Sequence, residues 1–404
     1  DEVPPQIVSK KTKSIRLGVV GSGQMGSRLS ECFFLKGYDS VCMNTAPQDL
    51  EYINLPSSNK LLLDYGVGGA SKELEIGRAA AELHRHAIAE LVQDKLSDSQ
   101  VNVLCLSLGG GSGAGSCDVL VELLSELGKP LVVIVAMPMQ AEDAHTKSNA
   151  LETLAKLAAY ARNKKIHNLI VVDNAKIESI YQDLNQKEFY QVANNAVVET
   201  LDAFNRFSSL PSDIKALDPM EFSKILMDGE GLSVYGELTV ENYREDTAIA
   251  EAVVNNLNGN LLASGFNLKQ SKYVGFIVVA NAEVWKAVPA SSVNYATAMI
   301  NELCGDPKGV FKGIYTTDMK EDVIKVYSFF SGLGLPADRV EQLKGEIQQL
   351  QSKIKVKDDA RTASLQLDSG VNETVSMAQK VKDKIAQKSS TFGKFVVGAA
   401  KKDK

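Results

Sequence analysis

Five glycines lie within the segment LSLGGGSGAGS, which runs from Leu106 to Ser116. The residues before the glycines, VNVLCLSL, have the length and β-branching of a buried strand. The residues after them, CDVLVELLSELG, carry apolar side chains at helical spacing. A glycine-rich turn between a strand and a helix directs backbone N–H groups and a helix N-terminus at an anion. The pattern therefore predicts a phosphate-binding loop, with a plain flexible loop as the alternative.

A second glycine loop, GVVGSGQMG, places Gly21, Gly23 and Gly26 at the spacing of a dinucleotide-binding fingerprint. That fingerprint also needs a carboxylate at the end of the next strand, but the strand DSVCMNT ends without one. The chain also lacks the GK[ST] sequence of a mononucleotide P-loop. Two glycine loops without that lysine favour a triphosphate held by backbone amides and a helix dipole. The alternatives are a nicotinamide-dependent dehydrogenase or a purely structural turn at residues 21–26.

The elements that must position these loops alternate between short apolar runs and helical stretches, which include one long helix at ELEIGRAAAELHRHAIAELVQD. Strand, helix, strand repeated in this way is typical of a parallel sheet covered by helices on both faces. The ligands of such sheets bind at the carboxyl ends of the strands. We therefore expect one site where six loops meet, at residues 21–26, 44–48, 66–77, 109–116, 137–142 and 173–176.

Beyond a long helix from about Gln186 to Phe207, the pattern predicts a second α/β unit with strands at KYVGFIVVAN, GVFKGIYTT and DVIKVYSFFSGLG. A charged helix follows, and the end of the chain has the composition of a disordered tail. The predicted segments are a leader at 1–14, a nucleotide-binding domain at 15–185, a core helix at 186–210, a second domain at 211–335, a C-terminal helix at 336–357 and a basic tail at 358–404.

The 404 residues carry a formal net charge of −6, which gives no overall attraction to nucleic acid or membrane. From Ser352 onward, however, twelve Lys and Arg stand against six Asp and Glu. The five cysteines show no metal-ligand spacing, as expected of thiols in a reducing compartment. There is no apolar run long enough to span a membrane and no visible signal peptide. We therefore expect a cytoplasmic protein that binds neither DNA nor membrane directly.

The segment GGGSGAGS resembles the GGGTGTGS signature of the tubulin/FtsZ GTPases, with Ser112 and Ala114 where that family usually has threonines. Five other segments resemble nucleotide loops of the family in the same order: GSGQMG, MNTAPQDL, GASKELEIG, MPMQAED and VVDNAK. The likeness extends from Ile15 to Gly334. Within the family, VVDNAKI, LDPMEFSKIL and DVIKVYSFFSGLGLP are most similar to TubZ-type plasmid and phage partition proteins. The resemblance implies a Rossmann-like GTPase domain joined by a core helix to a smaller α/β domain.

This resemblance implies a site that binds GTP together with Mg²⁺ and in which no side chain ligates the metal directly. Gln24 would lie near the Mg²⁺ through a water molecule. Lys72 would approach the γ-phosphate and sense its presence, and a solvated lysine is the alternative. The residues that would contact GTP are Gly21, Ser22, Gly23, Gln24, Asn44, Gly69, Ala70, Ser71, Lys72, Gly109, Gly110, Gly111, Ser112, Gly113, Ala114, Gly115, Glu142, Asn174, Tyr190 and Asn194.

Three of these residues are expected on the side of the base. Tyr190 and Asn194 are four residues apart on the long helix and therefore share one face. The resemblance implies that the ring stacks on guanine while the amide, which both donates and accepts hydrogen bonds, reads its edge. Asn174 would join them from the loop below. Simple packing is the alternative for Tyr190.

Asp218 and Glu221 lie three residues apart at the start of a predicted helix, where Asp218 before Pro219 suits a helix N-cap. The resemblance implies a second role, in which this loop enters the nucleotide pocket of the next subunit and the two carboxylates orient the attacking water. Ala216 replaces an asparagine that the family carries two residues before the first acid. A monomer would then hydrolyse GTP slowly and a filament quickly.

The resemblance thus implies a GTPase that polymerises head to tail and segregates plasmid or phage DNA. Its basic tail would engage a DNA-bound adaptor protein rather than DNA itself. Two alternatives remain open from the sequence: a phage spindle protein that positions viral genomes, and a nucleotide-binding structural polymer with little turnover.

Overall fold

The computed structural model describes residues 13–180, 185–258 and 265–365, together with 379, 380 and 383. The strands are β1 (Leu17–Ser22), β2 (Asp39–Asn44), β3 (Lys60–Leu62), β4 (Val101–Ser107), β5 (Leu131–Met137), β6 (Asn168–Asp173), β7 (Leu232–Val240), β8 (Tyr273–Ala280), β9 (Gly309–Thr316) and β10 (Ile324–Leu333). The helices are α1 (Gly23–Leu35), α2 (Pro47–Glu51), α3 (Leu74–Leu83), α4 (Arg85–Lys95), α5 (Gly111–Glu126), α6 (Ala144–Arg162), α7 (Asn174–Ile180), α8 (Gln186–Phe207), α9 (Pro219–Met227), α10 (Ala248–Asn258), α11 (Ala282–Ala287), α12 (Ser291–Cys304) and α13 (Ala337–Ser364).

The strands form one sheet in the order β3-β2-β1-β4-β5-β6-β7-β10-β8-β9. Neighbours from β3 to β7 in that order are parallel. Strand β10 is antiparallel to both of its neighbours, β7 and β8. The central strands β1, β4, β5 and β6 are buried along almost their whole length, which explains their nearly continuous apolar sequences. The predicted α/β fold with a parallel sheet is confirmed.

Strand β7 is the main element that the sequence reading missed. It pairs with β6 through Leu232 and Ser233 and with β10 along its length, so it joins the two predicted units into one sheet. Its sequence, LSVYGELTV, includes Ser, Gly, Glu and Thr and therefore lacks the apolar run by which the other central strands were recognised. The proposed boundaries at 185 and 210 remain a prediction.

Two helices replace the single long one predicted for residues 73 to 94. Helix α3 ends at Leu83 and α4 begins at Arg85. Between them His84 has ψ of 11°, outside the helical range, and its ring lies 2.9 Å from the carbonyl oxygen of Asp64. The apolar periodicity of the two helices runs on without a glycine or proline at the break, so the sequence pattern alone does not mark it. By contrast, α8 spans Gln186–Phe207 as predicted.

The chain divides into two compact units, residues 1–347 and 348–404. Helix α13 is described as far as Ser364, past the predicted end at residue 357. Residues 358–364 are therefore helical rather than part of the tail, with an ion pair one turn apart between Asp358 and Arg361 at 3.5 Å.

Most of the predicted leader and of the tail beyond residue 365 lies outside the described residues. No described helix is long and apolar enough to cross a membrane.

Candidate nucleotide-binding site

The carboxyl ends of the parallel strands border a cavity of about 630 Å³, at the edge of the sheet where ligands of such folds bind. Its walls come from the starts of α1, α5 and α7, the loops before α3 and α6, and one face of α8. The predicted GTP contacts that line the cavity are Gly23, Gln24, Gly69, Ala70, Ser71, Lys72, Gly109, Gly110, Gly111, Ser112, Gly113, Glu142, Asn174, Tyr190 and Asn194.

The two glycine loops touch each other and the loop before α3. Gly23 has φ of +73°, and a Cβ on it would lie 2.8 Å from the amide nitrogen of Gly113. A Cβ on Gly111 would lie 2.8 Å from the Cβ of Ala70 and 2.9 Å from the amide nitrogen of Lys72. Only glycine permits these approaches without displacement of the backbone. The result is a wall of main chain in which N–H groups can face an anion.

The start of α5 is suited to hold phosphate. Gly110 is its N-cap, and no side chain of the described residues caps the helix. Its first N–H groups and the positive end of its dipole therefore lie at the cavity wall. Ser112 in the first turn lines the cavity, and its hydroxyl lies 2.5 Å from the hydroxyl of Thr45, just after β2.

The loop before α3 holds its lysine by several contacts. Ser71 and Lys72 both have positive φ, at 49° and 67°, which is uncommon for residues with a side chain. The Lys72 ammonium lies 2.7 Å from the Asp143 carboxylate and 3.6 Å from that of Glu142. The Lys72 carbonyl oxygen accepts a hydrogen bond from the amide of Asn149 at 2.8 Å. Lys72 is therefore a partly exposed, ion-paired residue of the cavity wall, and its contact with the γ-phosphate stays a prediction.

The pKa values of Lys72 and Asp143 shift in the directions expected for an ion pair. The hydrogen bond to Asp143 raises the pKa of the Lys72 ammonium. The same bond, together with the amide of Thr146, lowers the pKa of the Asp143 carboxyl well below its ordinary value of 3.8. Asp143 is also the N-cap of α6, since its carboxylate accepts the Thr146 N–H at 2.8 Å.

The far side of the cavity is built from side chains rather than main chain. Tyr190 and Asn194 of α8 both line it, with Asn174 at the start of α7. Tyr190 is 39% exposed, its hydroxyl lies 3.5 Å from the sulfur of Met139, and its ring is perpendicular to that of Phe189. Partial burial raises the pKa of the Tyr190 phenol. A half-exposed ring on a cavity wall can stack on a planar base.

Five predicted contacts do not line the cavity: Gly21, Ser22, Asn44, Ala114 and Gly115. They lie behind the lining, where close packing supports the loops. The hydroxyl of Ser22 meets that of Ser116 at 2.7 Å in a fully buried position. A Cβ on Gly115 would lie 2.4 Å from the carbonyl oxygen of Leu74. These five residues thus support the loops in this structure, and their contact with GTP stays a prediction.

The structure also adds lining residues that the sequence reading missed. Arg28 follows Gln24 by four positions on α1 and so shares its face; that spacing was a usable signal. Asp49 of α2 is held by the amide of Asn44, which donates to its carboxylate at 3.0 Å. Ser107, Ala136 and Thr146 also line the cavity from outside the six predicted loops. Within those loops, the lining adds residues that were not named singly: Met25, Ala46, Met137, Pro138 and Met139.

Metal binding rests on few side chains. Among the described residues, no group of three or more His, Cys, Asp or Glu could hold a metal ion. Mg²⁺ commonly keeps several waters and binds through one or two carboxylates plus the phosphates of its nucleotide. The Asp49 carboxylate and the Gln24 amide, both on the cavity wall, fit that requirement.

The two acids of α9 are not among the residues that line the cavity. They form a complete capping box: the Asp218 carboxylate accepts the Met220 N–H at 2.7 Å, and the Glu221 carboxylate accepts the Asp218 N–H at 2.9 Å. The predicted N-cap is thereby confirmed. Asp218 is exposed, and the apolar side chains of Ile214 and Met220 beside it are 52% and 66% exposed.

Comparison with known proteins matches two parts of the chain to family models. Residues 9–182 match the model of the Tubulin/FtsZ family GTPase domain, and residues 203–344 match that of the TubZ-like C-terminal domain of tubulin/FtsZ-like proteins. The tubulin-like protein CetZ of Pyrococcus furiosus is 24% identical over 329 residues, which cover 79% of this chain and 86% of CetZ. The tubulin-like protein TubZ of Bacillus cereus is 23% identical over 386 residues, covering 86% and 87% of the two chains.

Solved structures share the fold. The GTPγS-form protofilament of TubZ from Bacillus thuringiensis serovar israelensis superposes with a TM-score of 0.75 at 20% identity. The superposition covers 88% of this chain and 95% of that one.

Proposed function

This chain belongs to the tubulin/FtsZ family, and we propose that it binds GTP, polymerises head to tail and hydrolyses GTP at each contact between subunits. The observation that carries the proposal is the separation of two sets of groups. The main-chain cradle and the base-side residues line one cavity, whereas the acids of α9 are absent from its lining. One subunit thus offers a binding site, and a second subunit can offer the acids.

Binding of the nucleotide would divide between the two sides of the cavity. The amides at the starts of α1 and α5 would take the phosphates, and Lys72 would exchange its ion pair with Asp143 for the γ-phosphate. On the other side Tyr190 would stack on the base. Asn174 and Asn194 would present donors and acceptors to guanine, and these three residues would select GTP over ATP.

Mg²⁺ would be held through water by Gln24 and Asp49, and would supply positive charge that neutralises the phosphate oxygens. The protein's own part would be to orient the nucleotide. The glycine main chain suits that task, because its N–H groups are already in place to donate hydrogen bonds to negative charge that develops on the phosphates.

Hydrolysis would require the neighbouring subunit. Asp218 is exposed and Glu221 is half-buried. Among the described residues, their carboxylates accept hydrogen bonds from local main-chain N–H groups. The exposed Ile214 and Met220 provide apolar area for a contact around them. Such a contact would join different surfaces of two identical chains, and a contact of that kind produces a filament when its rotation does not close into a ring.

Sedimentation and phosphate release test this proposal together. We expect the protein to pellet with GTP and with a slowly hydrolysed analogue but not with GDP. Phosphate release per subunit should rise steeply above a threshold protein concentration, because each active site needs two subunits. Equal release per subunit below and above the threshold would show catalysis by single subunits and overturn the split site. Assembly without release would instead identify a structural polymer.

The DNA-segregating role is a further part of the proposal. The relatives named above include TubZ proteins, and this chain has a C-terminal region with an excess of Lys and Arg. We propose that this tail binds a DNA-bound adaptor protein. Removal of residues 366–404 should leave assembly and turnover intact and abolish inheritance of a plasmid that depends on the protein. Normal inheritance with the shortened chain would contradict the role of the tail.

A further inference from the structure

A cluster of four charged residues lies beneath the base side of the cavity: Asp173, Arg339 and Lys147 are buried, and Glu346 is partly buried at 18% exposure. The guanidinium Nε of Arg339 donates to Asp173 Oδ2 at 2.9 Å. Its Nη1 lies 3.4 Å from Glu346 Oε1, and the other oxygen of Glu346 lies 2.7 Å from the Lys147 ammonium. The side chains of Arg339, Asp173 and Lys147 are only 3%, 2% and 2% exposed.

The first loop attached to this cluster carries Asn174. Asp173 ends β6 and directly precedes that cavity residue. One of its carboxylate oxygens accepts the N–H of Ala175 at 3.2 Å, while the other faces Arg339. The guanidinium therefore fixes a carboxylate that in turn fixes the start of α7.

The second loop attached to the cluster precedes α6. The Lys147 ammonium donates to the carbonyl oxygen of Gln140 at 2.7 Å. Gln140 lies between the cavity residues Met139 and Glu142. The position before Lys147 in the chain, Thr146, also lines the cavity. Glu346 therefore holds, through Lys147, the loop that faces Tyr190.

The two cluster residues that contact Asp173 and Lys147 both belong to α13. Arg339 and Glu346 are seven residues apart, two helical turns, and so lie on one face of that helix. Burying an ion pair costs desolvation that its attraction barely offsets, so such pairs contribute little net stability compared with apolar residues. The cluster residues also contact two loops of the cavity wall, so they can hold those loops in position.

We infer that Arg339 and Glu346 of the C-terminal helix are positioning residues for the base side of the nucleotide pocket. Neither residue lines the cavity; they hold Asn174 and the loop at Gln140 in place through Asp173 and Lys147. The inference rests on the proposed function, because it assumes that a guanine base occupies this side of the cavity.

Loss of the guanidinium would leave the Asp173 carboxylate buried without its partner. Burial already raises the pKa of Asp173, and Arg339 opposes that rise. Without Arg339 the carboxylate would take up a proton or turn toward water. In either case it would release the N–H groups at the start of α7, so Asn174 would move relative to the base.

The test compares full-length variants Arg339→Gln and Glu346→Gln with a control at a second buried ion pair. Lys13 and Asp202 form that pair at 2.6 Å, with side chains 4% and 6% exposed, and neither lines the cavity. The control variant is Lys13→Met. Three quantities are measured for each protein: the Kd of a fluorescent GDP, the ratio of GDP to ADP affinity, and kcat at saturating GTP.

We expect Arg339→Gln to raise the Kd for GDP about tenfold, since a displacement of about 1 Å at a contact can cost that much or more. The variant should also lower the ratio of GDP affinity to ADP affinity. Its kcat at saturating GTP should stay within about twofold of wild type, since Asp218 and Glu221 are untouched. Lys13→Met should lower the melting temperature while leaving the Kd and the ratio unchanged.

Several outcomes would overturn the inference. One is an unchanged Kd and base preference in folded Arg339→Gln and Glu346→Gln, and another is an equal loss in Lys13→Met. If Arg339→Gln does not fold, Arg339→Lys decides in its place. It keeps the charge but loses the fork that spans Asp173 and Glu346, and it should show a smaller loss of the same kind or else refute the role. Failure of wild type to bind GDP would instead refute the proposed function.

Discussion

The nucleotide cavity and the start of α9 present opposite kinds of polar group: hydrogen-bond donors of the main chain in the cavity, and carboxylates at α9. On its phosphate side the cavity presents main-chain N–H groups, brought together by close contacts at Gly23 and Gly111. The start of α9 presents two carboxylates that accept local hydrogen bonds in a capping box, near the exposed apolar side chains of Ile214 and Met220. The phosphate side of the cavity can bind an anion without rearrangement. The carboxylates at the start of α9 are stable in the single subunit because the capping box satisfies them. A single subunit therefore keeps the anion-binding wall and the two carboxylates apart, and the proposed reaction needs both.

The largest effect that would test this contrast comes from Asp218→Asn. Asparagine caps a helix about as well as aspartate, so α9 should remain folded while the charge is lost. We expect phosphate release by filaments to fall by about a hundredfold or more, the range found for loss of a general acid–base group. Pelleting with GTP should persist. Turnover is measured at saturating GTP, above the concentration at which the protein assembles.

Two companion variants separate catalysis from capping. Glu221→Gln retains the capping box, because Gln can also accept the N-cap N–H, and it too should slow release. Asp218→Ala removes the cap as well and should lower the free energy of unfolding by about 1 kcal/mol relative to Asp218→Asn. If Asp218→Asn hydrolyses GTP at the wild-type rate, the carboxylate is only a helix cap.

The next effect concerns the main-chain wall of the cavity. Gly111→Ala would place a methyl group 2.8 Å from Ala70 and 2.9 Å from the amide of Lys72, too close without movement of one loop. Overpacking of this kind commonly costs about 1–3 kcal/mol. We expect the affinity for GTP to fall on the order of tenfold or more, as measured by titration with a fluorescent nucleotide.

The matched control for that change is Gly345→Ala. Gly345 lies in α13, and a Cβ there would meet nothing within 4 Å. Alanine in a helix interior is favoured over glycine by about 0.5–1 kcal/mol, so this variant should be slightly more stable and bind GTP normally. Equal binding by the two alanine variants would mean that the wall of glycines is not the phosphate cradle.

A smaller effect is expected from Lys72→Met, which sharpens the assignment of the loop before α3. The variant removes the partner of Asp143 and, by the proposal, a contact of the γ-phosphate. The pair is half-exposed, so its attraction is partly screened. We expect the preference for GTP over GDP to fall about three- to tenfold. Equal losses for GTP and GDP would place Lys72 away from the γ-phosphate.

The smallest effect is a dependence of stability on pH. The folded protein lowers the pKa of Asp143 below 3.8 and raises that of Lys72 above 10.5. Their pairing therefore stabilises the fold fully between these values, and the contribution of Asp143 fades as the pH falls below 3.8. The difference in urea midpoint between wild type and Lys72→Met should be constant from pH 5 to about 9 and shrink at pH 3. A difference that grows on acidification would exclude this pairing.

The phosphate side of the cavity was open to prediction because its chemistry is local in the chain. Strand, glycine turn and helix follow one another within a few residues, so the loops at residues 21–26 and 109–116 could be placed at one edge of a sheet. The helix at Gln186–Phe207 was equally open, since its apolar period is long. Strand β7 was missed because its Ser, Gly, Glu and Thr interrupt the apolar run. Without β7, the continuity of the sheet could not be seen.

The sequence by itself determined where main chain can approach an anion, since glycine spacing and helix starts depend on neighbouring residues alone. Only the tertiary structure decided which distant side chains meet. It kept Asp218 and Glu221 out of the cavity lining and placed Arg339 against Asp173. The physical reason is that ion pairs and cavity walls join segments far apart in the chain, and their partners are chosen by packing of the whole sheet and its helices.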